Sequence, residues 1–232
     1  MLLQIPGELV MGTQAPLAGA ETLLWREIPL NRWLAVAAAL LFIINLPNYL
    51  HILPHLLKCA SMWRRNLSLE HSMQLVRSRN LSCWACLLPL CLIAACYDLA
   101  GERIISPAAG QLQTLATMAL VAAWALLRQV LYLISGMRAR KRQTWQAAHR
   151  AGYNFFILLV SVMLLTVGFV LLPGIGRQSA RTILLIECGL VYILFLIRKS
   201  QILASEYPLF TTFLYLCALE FLPTGILIWF SL

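Results

Sequence analysis

Six apolar runs divide this chain, at roughly 33–57, 81–98, 110–136, 153–173, 180–198 and 207–231. About 20 mainly apolar residues carry a helix across the hydrocarbon of a bilayer. In hydrocarbon each backbone N–H and C=O has to be satisfied within the segment, so runs of this kind are helices. The pattern predicts an all-α fold, a polytopic transmembrane helical bundle of about six spans. Composition points the same way. Only 12% of the 232 residues are charged, against about 25% in an ordinary water-soluble domain. The chain reads as one membrane domain, residues 1–232, with residues 1–32 forming an external tail. No basic region precedes the apolar residues of "MLLQIPGELVMGTQAPLAGAE", so the first span is expected to serve as its own insertion signal.

The formal charge is +9. In a membrane chain such an excess marks topology and contacts anionic lipid headgroups, so the expected surroundings are a bilayer and not nucleic acid. The first connection holds Lys58, Arg64, Arg65, Arg77 and Arg79, the third holds Arg138, Arg140, Lys141, Arg142 and Arg150, and the fifth holds Arg198 and Lys199. The tail and the other two connections hold only Arg26, Arg32, Arg103, Arg177 and Arg181. This alternation predicts that connections one, three and five are cytoplasmic and both termini periplasmic. Two basic stretches, "NLSLEHSMQLVRSRN" and "RKRQTWQAAHRAGYN", read as short amphipathic helices at the headgroup level, with Leu69, Met73 and Val76 on one face of the first and Trp145 in the second. No internal repeat is visible, so the inverted symmetry common in carriers is not read here.

Seven cysteines, all but Cys59 within apolar runs, are expected to be reduced thiols that pack as small hydrophobes. The CxxC at Cys83–Cys86 opens an apolar helix with no βαβ pattern near it, which favours packing over redox chemistry.

Polar groups inside apolar runs are costly and each needs a partner or a purpose. In the first span, Pro47 and Pro54 each remove a backbone hydrogen bond, and Asn48, His51 and His55 follow as a polar stripe. The i, i+4 spacing of His51 and His55 allows two imidazoles to meet one metal, but no HExxH accompanies them. Interhelical hydrogen bonding is the favoured reading, and no cofactor is expected. The third span carries Arg128 and Gln129, and the last two carry Glu187 and Glu220. An ionised acid at mid-depth costs about 2.5–3.5 kcal/mol on insertion scales. It is relieved by protonation, by pairing with Arg128 or by a wet cavity. Arg128 with one glutamate is the economical pair, and the other acid is expected to be neutral or hydrated. Around Glu220, Cys217, Thr224 and Phe213 are read on one face, and Pro223 withdraws an N–H from the carbonyl of Leu219. These are the parts of an ion site in a carrier and equally of a polar clamp between helices.

The stretch "KSQILASEYPLFTTFLYLCALEFLP" resembles the C-terminus of the domain of unknown function 4271 family, integral membrane proteins of Bacteroidota. Tyr215, Leu216, Cys217, Leu219, Glu220 and Pro223 match the pattern residue by residue, and weaker similarity covers Arg150 and Asn154. The first half of the chain matches in hydropathy alone. The resemblance implies an uncharacterised bacterial inner-membrane protein and no activity. Three readings follow. The leading one is a non-enzymatic subunit or assembly factor of an envelope or secretion complex, in contact with a membrane-protein partner or a second copy. The alternative is a small proton- or ion-coupled transporter or channel subunit using Glu220, Glu187 and Arg128. The least favoured is an intramembrane metalloenzyme built on His51, His55 and a glutamate.

Overall fold

The computed structural model describes residues 28–62, 72–99, 111–136, 142–171 and 176–231. Every regular element among them is helical. The helices are α1 (Pro29–Ser61), α2 (Met73–Cys96), α3 (Gln111–Gly136), α4 (Arg142–Leu171), α5 (Arg177–Ala204) and α6 (Leu209–Leu216). A π-helical turn (Cys217–Phe221) carries α6 directly into α7 (Leu222–Ser231). Counting α6, the π turn and α7 as one span, six helices are long and apolar enough to cross a membrane. Unlike a water-soluble domain, the bundle is apolar on its outside as well as in its cores. Its outer faces display Trp33, Ile44, Leu126, Phe169 and Leu190, while Asn31, Arg79, Thr114, Lys199 and Glu220 lie buried. Exposed apolar area on this scale is suited to lipid or a partner, not to water.

Local chemistry sets the ends. Pro29 starts α1, where a missing N–H costs nothing. Ser72 caps α2 by accepting from the Leu75 N–H. Pro47, Pro54 and Pro89 all sit inside helices and end none of them, as membrane helices tolerate where neighbours re-satisfy the freed carbonyls. At the C-terminal end of α1, Arg198 Nε donates to the Ala60 carbonyl at 2.8 Å, which ties α1 to α5 through carbonyls a helix end cannot satisfy itself.

α1 packs along α2, α4 along α5, and α2 also meets α3 and α4. The inner face of α2 is rich in small residues, among them Ala85, Cys86, Cys91, Ala94 and Ala95, which let neighbouring backbones approach closely. All seven cysteines are free thiols. One core joins Tyr49, Ile52 and Leu56 of α1 to Cys86, Ile157 and Val160. A second joins Ile93 and Tyr97 to Met163, Ala180 and Leu184. The third gathers Tyr132, Trp145, Ala148, Ala151, Ile202, Leu203 and Leu219.

The two stretches read as separate interfacial helices differ in the structure. From Met73 onward the first belongs to α2 without a break, and Leu69 lies outside the described residues. The second, from Arg142, is the start of α4. Trp145 does not lie at a surface. It is buried between Tyr132 and Tyr215, with ring centroids 5.9 and 5.0 Å away. From Met73 and from Arg142 each runs on into its span, and burying Trp145 and Ala148 against α3 and α5 outweighs the separation their basic neighbours suggest.

A buried carboxylate between three helices as the candidate functional site

The third core surrounds Glu220. α6 buries Thr212 and Leu216, and the same side continues to Leu219 and Glu220. In the π-helical turn the Leu222 N–H reaches back five residues to the Cys217 carbonyl. Pro223 has no N–H to offer the Leu219 carbonyl, so the ladder widens there. Phe213, read as sharing the Glu220 face, points out of the bundle, 60% exposed. The extra residue in the wide turn rotates Glu220 relative to α6, which separates the two. The Tyr192 hydroxyl of α5 sits 3.2 Å from both the Glu220 carbonyl oxygen and Thr224 Oγ1, and so pins the turn.

Three donors converge on one oxygen of Glu220. Arg128 Nη2 from α3 donates to Oε1 at 3.0 Å. The Tyr132 hydroxyl, one turn along α3, donates to the same atom at 2.6 Å. Lys199 Nζ from α5 is the third donor. Glu220 and Lys199 are each 1% exposed, and Arg128 is 18% exposed. Aromatic faces surround the cations. Lys199 Nζ lies 4.5 Å from the Tyr132 ring centre, and Arg128 Cζ lies 5.3 Å from that of Phe195. Such contacts strengthen when desolvated. Arg128 reaches Glu220 across Gly152 of α4: a Cβ built there would sit 2.6 Å from Nη2. His149 lies against Tyr132, ring centroids 4.2 Å apart and planes tilted by 41°, and completes the wall.

Of the residues singled out in the sequence, Arg128 and Glu220 are thus brought together. Glu187 is not part of this centre. Thr166 Oγ1 of α4 donates to its Oε1, and its Oε2 is buried with no hydrogen-bond partner. Asn48, His51 and His55 stay on α1. The two imidazole centres are 6.2 Å apart and His51 is exposed. Among the described residues no group of three or more His, Cys, Asp or Glu could hold a metal ion. Within the family-like motif, Leu216, Leu219, Glu220 and Pro223 are buried, and Tyr215 packs on Trp145 and Tyr207. Arg150 and Asn154 lie on α4, Asn154 buried.

Lys199 and Tyr132 escaped the sequence reading. Lys199 falls in the fifth connection by hydropathy, yet α5 continues to Ala204. The available signal was spacing: Phe195, Lys199 and Ile202 fall at i, i+4 and i+7, one buried helix face. Tyr132 likewise follows Arg128 by four residues. Arg79 is a parallel case, buried in α2 beside the Tyr153 ring rather than in a connection.

Comparison of the chain with protein-family profiles, with curated proteins and with solved structures finds no match. The chemistry of the centre is therefore the guide. Its carboxylate binds α3, α5 and the π turn together. Tyr132→Phe removes one donor and leaves both cations in place. Hydrogen bonds to charged groups contribute about 1.5–3 kcal/mol. With two donors remaining, the loss is expected near the lower end, about 1–2 kcal/mol. Thermal unfolding in detergent, followed with a thiol-reactive dye that reports exposure of the buried cysteines, should show an earlier midpoint. An unchanged midpoint would show that the phenol adds nothing.

Proposed function

We propose that this chain is a non-enzymatic membrane subunit or assembly factor, in which Glu220 clamps helices and does not move an ion. The observation that carries the reading is the closed coordination of Glu220. Cations from two helices and a phenol meet one oxygen that is almost fully buried. Interhelical polar contacts of this kind hold membrane helices in register. The resemblance of the Glu220 stretch to the domain of unknown function 4271 family supports an inner membrane of a Bacteroidota cell as its site, and the alternation of Lys and Arg between connections supports periplasmic termini. An envelope or secretion complex is the host that fits. Purified from native membranes in mild detergent, the protein is expected to retain at least one other membrane chain in fixed proportion. Isolation as a bare monomer would overturn the reading.

A second reading, a proton- or ion-coupled carrier, draws on the π-helical turn that bears Glu220, since such turns are frequent at functional sites. It predicts flux into proteoliposomes under an imposed gradient, above that of protein-free vesicles. The clamp predicts none.

A further inference from the structure

The Glu220 centre carries one positive charge too many. Arg128 and Lys199 bring two, and among the described residues Glu220 is the one acid paired with either. Two donors at the same place also lack acceptors. The Nε–H of Arg128 and the indole Nε1–H of Trp124 are both buried with no hydrogen-bond partner among the described residues. They belong to neighbouring turns of one helix, since Trp124 precedes Arg128 by four residues on α3. Helical side chains lean toward the N-terminus, so the Arg128 side chain reaches back over Trp124. Its Cζ lies 5.6 Å from the Trp124 ring centre and 5.3 Å from that of Phe195 on α5. A positive charge in surplus and two buried N–H groups therefore meet in one aromatic-walled seam on the inward side of α3.

Charge and depth decide what accepts from these donors. A water molecule would satisfy both N–H groups but leave the surplus charge at membrane depth, where charge is expensive. A lipid phosphate stays at the interface, outside the hydrocarbon. Arg128 lies eight residues before Gly136, the last residue of α3, so about 12 Å inside that end at a rise of about 1.5 Å per residue. A small monovalent anion accepts from both donors and brings the centre to neutrality. We propose that the seam at Trp124 and Arg128 binds a small monovalent inorganic anion of the chloride kind. The two Nε–H groups hold it, and the second positive charge of the Arg128 and Lys199 pair balances it. The ion is a resident part of the clamp around Glu220. The site holds whether or not the chain works as a subunit of a larger complex.

The test melts the full chain in detergent while sodium chloride replaces sodium gluconate at constant ionic strength, with the thiol-reactive dye as readout. The wild-type midpoint is expected to rise by about 5 °C and to saturate, as for one site that only the folded chain offers. Bromide should substitute for chloride. Trp124→Phe keeps an aromatic ring and every bond to Glu220 but removes one donor, so half the gain should need about tenfold more chloride. Lys199→Met removes the surplus charge and should abolish the gain. Trp84→Phe, at an exposed position of α2, is the control and should behave as wild type. A midpoint indifferent to chloride overturns the proposal, and so does a gain that grows without saturating. A saturable gain unchanged in either Trp124→Phe or Lys199→Met puts the ion elsewhere and overturns it too. If Trp124→Phe lowers the midpoint equally with and without chloride, the donors share only a water and the proposal falls. Should Trp124→Phe fail to fold, the Lys199→Met titration decides alone.

Discussion

Glu220→Ala should be the most damaging single substitution in the bundle. It leaves Arg128 and Lys199 facing each other in a buried site with no counter-charge. Removing one member of a buried ion pair costs about 3–5 kcal/mol, because the remaining charge stays desolvated and unpaired. For a chain of this size that corresponds to a fall in unfolding midpoint of about 10 °C. The dye-based melting measurement described for Tyr132→Phe reads it directly. The mechanism makes a sharper prediction. Lys199→Met leaves a one-to-one pair of Arg128 and Glu220, so its loss should be clearly smaller than that of Glu220→Ala. The combined variant Glu220→Leu, Lys199→Met, Arg128→Met and Tyr132→Phe removes every charge and the orphaned phenol together. It should recover most of the stability, since apolar replacements of whole buried ion clusters are often neutral. If the combined variant were as unstable as Glu220→Ala, the damage would come from lost packing and not from uncompensated charge.

Gly152→Ala is expected to have the next largest effect, through the same centre from the opposite side. The added methyl would stand 2.6 Å from Arg128 Nη2 and 3.3 Å from Cζ. The end of an arginine side chain can ordinarily swing away. Here the atom that must move is the one bonded to Glu220 at 3.0 Å. The variant has to give up that bond or push α3 from α4. Overpacking of a fitted site costs about 1–3 kcal/mol. A double-mutant cycle checks the route: in an Arg128→Met background the methyl meets no guanidinium, and Gly152→Ala should cost much less. Equal costs in both backgrounds would assign the effect to some other contact of α4. Gly168, Gly189 and Gly225 have open space where a Cβ would go, so alanine at those positions should be well tolerated and serves as the control.

Much of the fold is legible in hydropathy because spanning segments have to be long and apolar whatever they do. The edges are less so. The first span extends four residues beyond each end of its apolar run, to Pro29 and Ser61, because lipid-depth hydropathy and helical hydrogen bonding end in different places. Pro47 and Pro54 look like breaks but are carried inside α1. At the centre, Arg128 and Glu220 stand out as charges within apolar runs. Lys199 does not, since a lysine near the end of a run has the same appearance whether it faces lipid headgroups or the interior. Only its spacing with Phe195 and Ile202 tells the two apart. The separation of Glu187 from Glu220 was not legible either, because it depends on which helix each faces: Thr166 of α4 for one, α3 for the other. The rotation of Phe213 away from Glu220 depends on a single wide turn that a fixed helical period does not contain.

The convergence of Arg128 and Lys199 on Glu220 also sets a clock on biogenesis. Glu220 follows Arg128 by 92 residues and Lys199 by 21. Arg128 therefore reaches the membrane well before its acid, whereas Lys199 arrives close to the same moment as Glu220. Until the last span arrives, the Arg128 charge on α3 lacks the acid that meets it in the finished bundle, a costly state at membrane depth. Arrival of the span bearing Glu220 neutralises one cation and draws the two earlier helices inward. A chain truncated before residue 220 would keep both cations and lack the acid that pairs them, and should be markedly less stable than the full chain. Closure of the bundle around this centre thus waits on its last span.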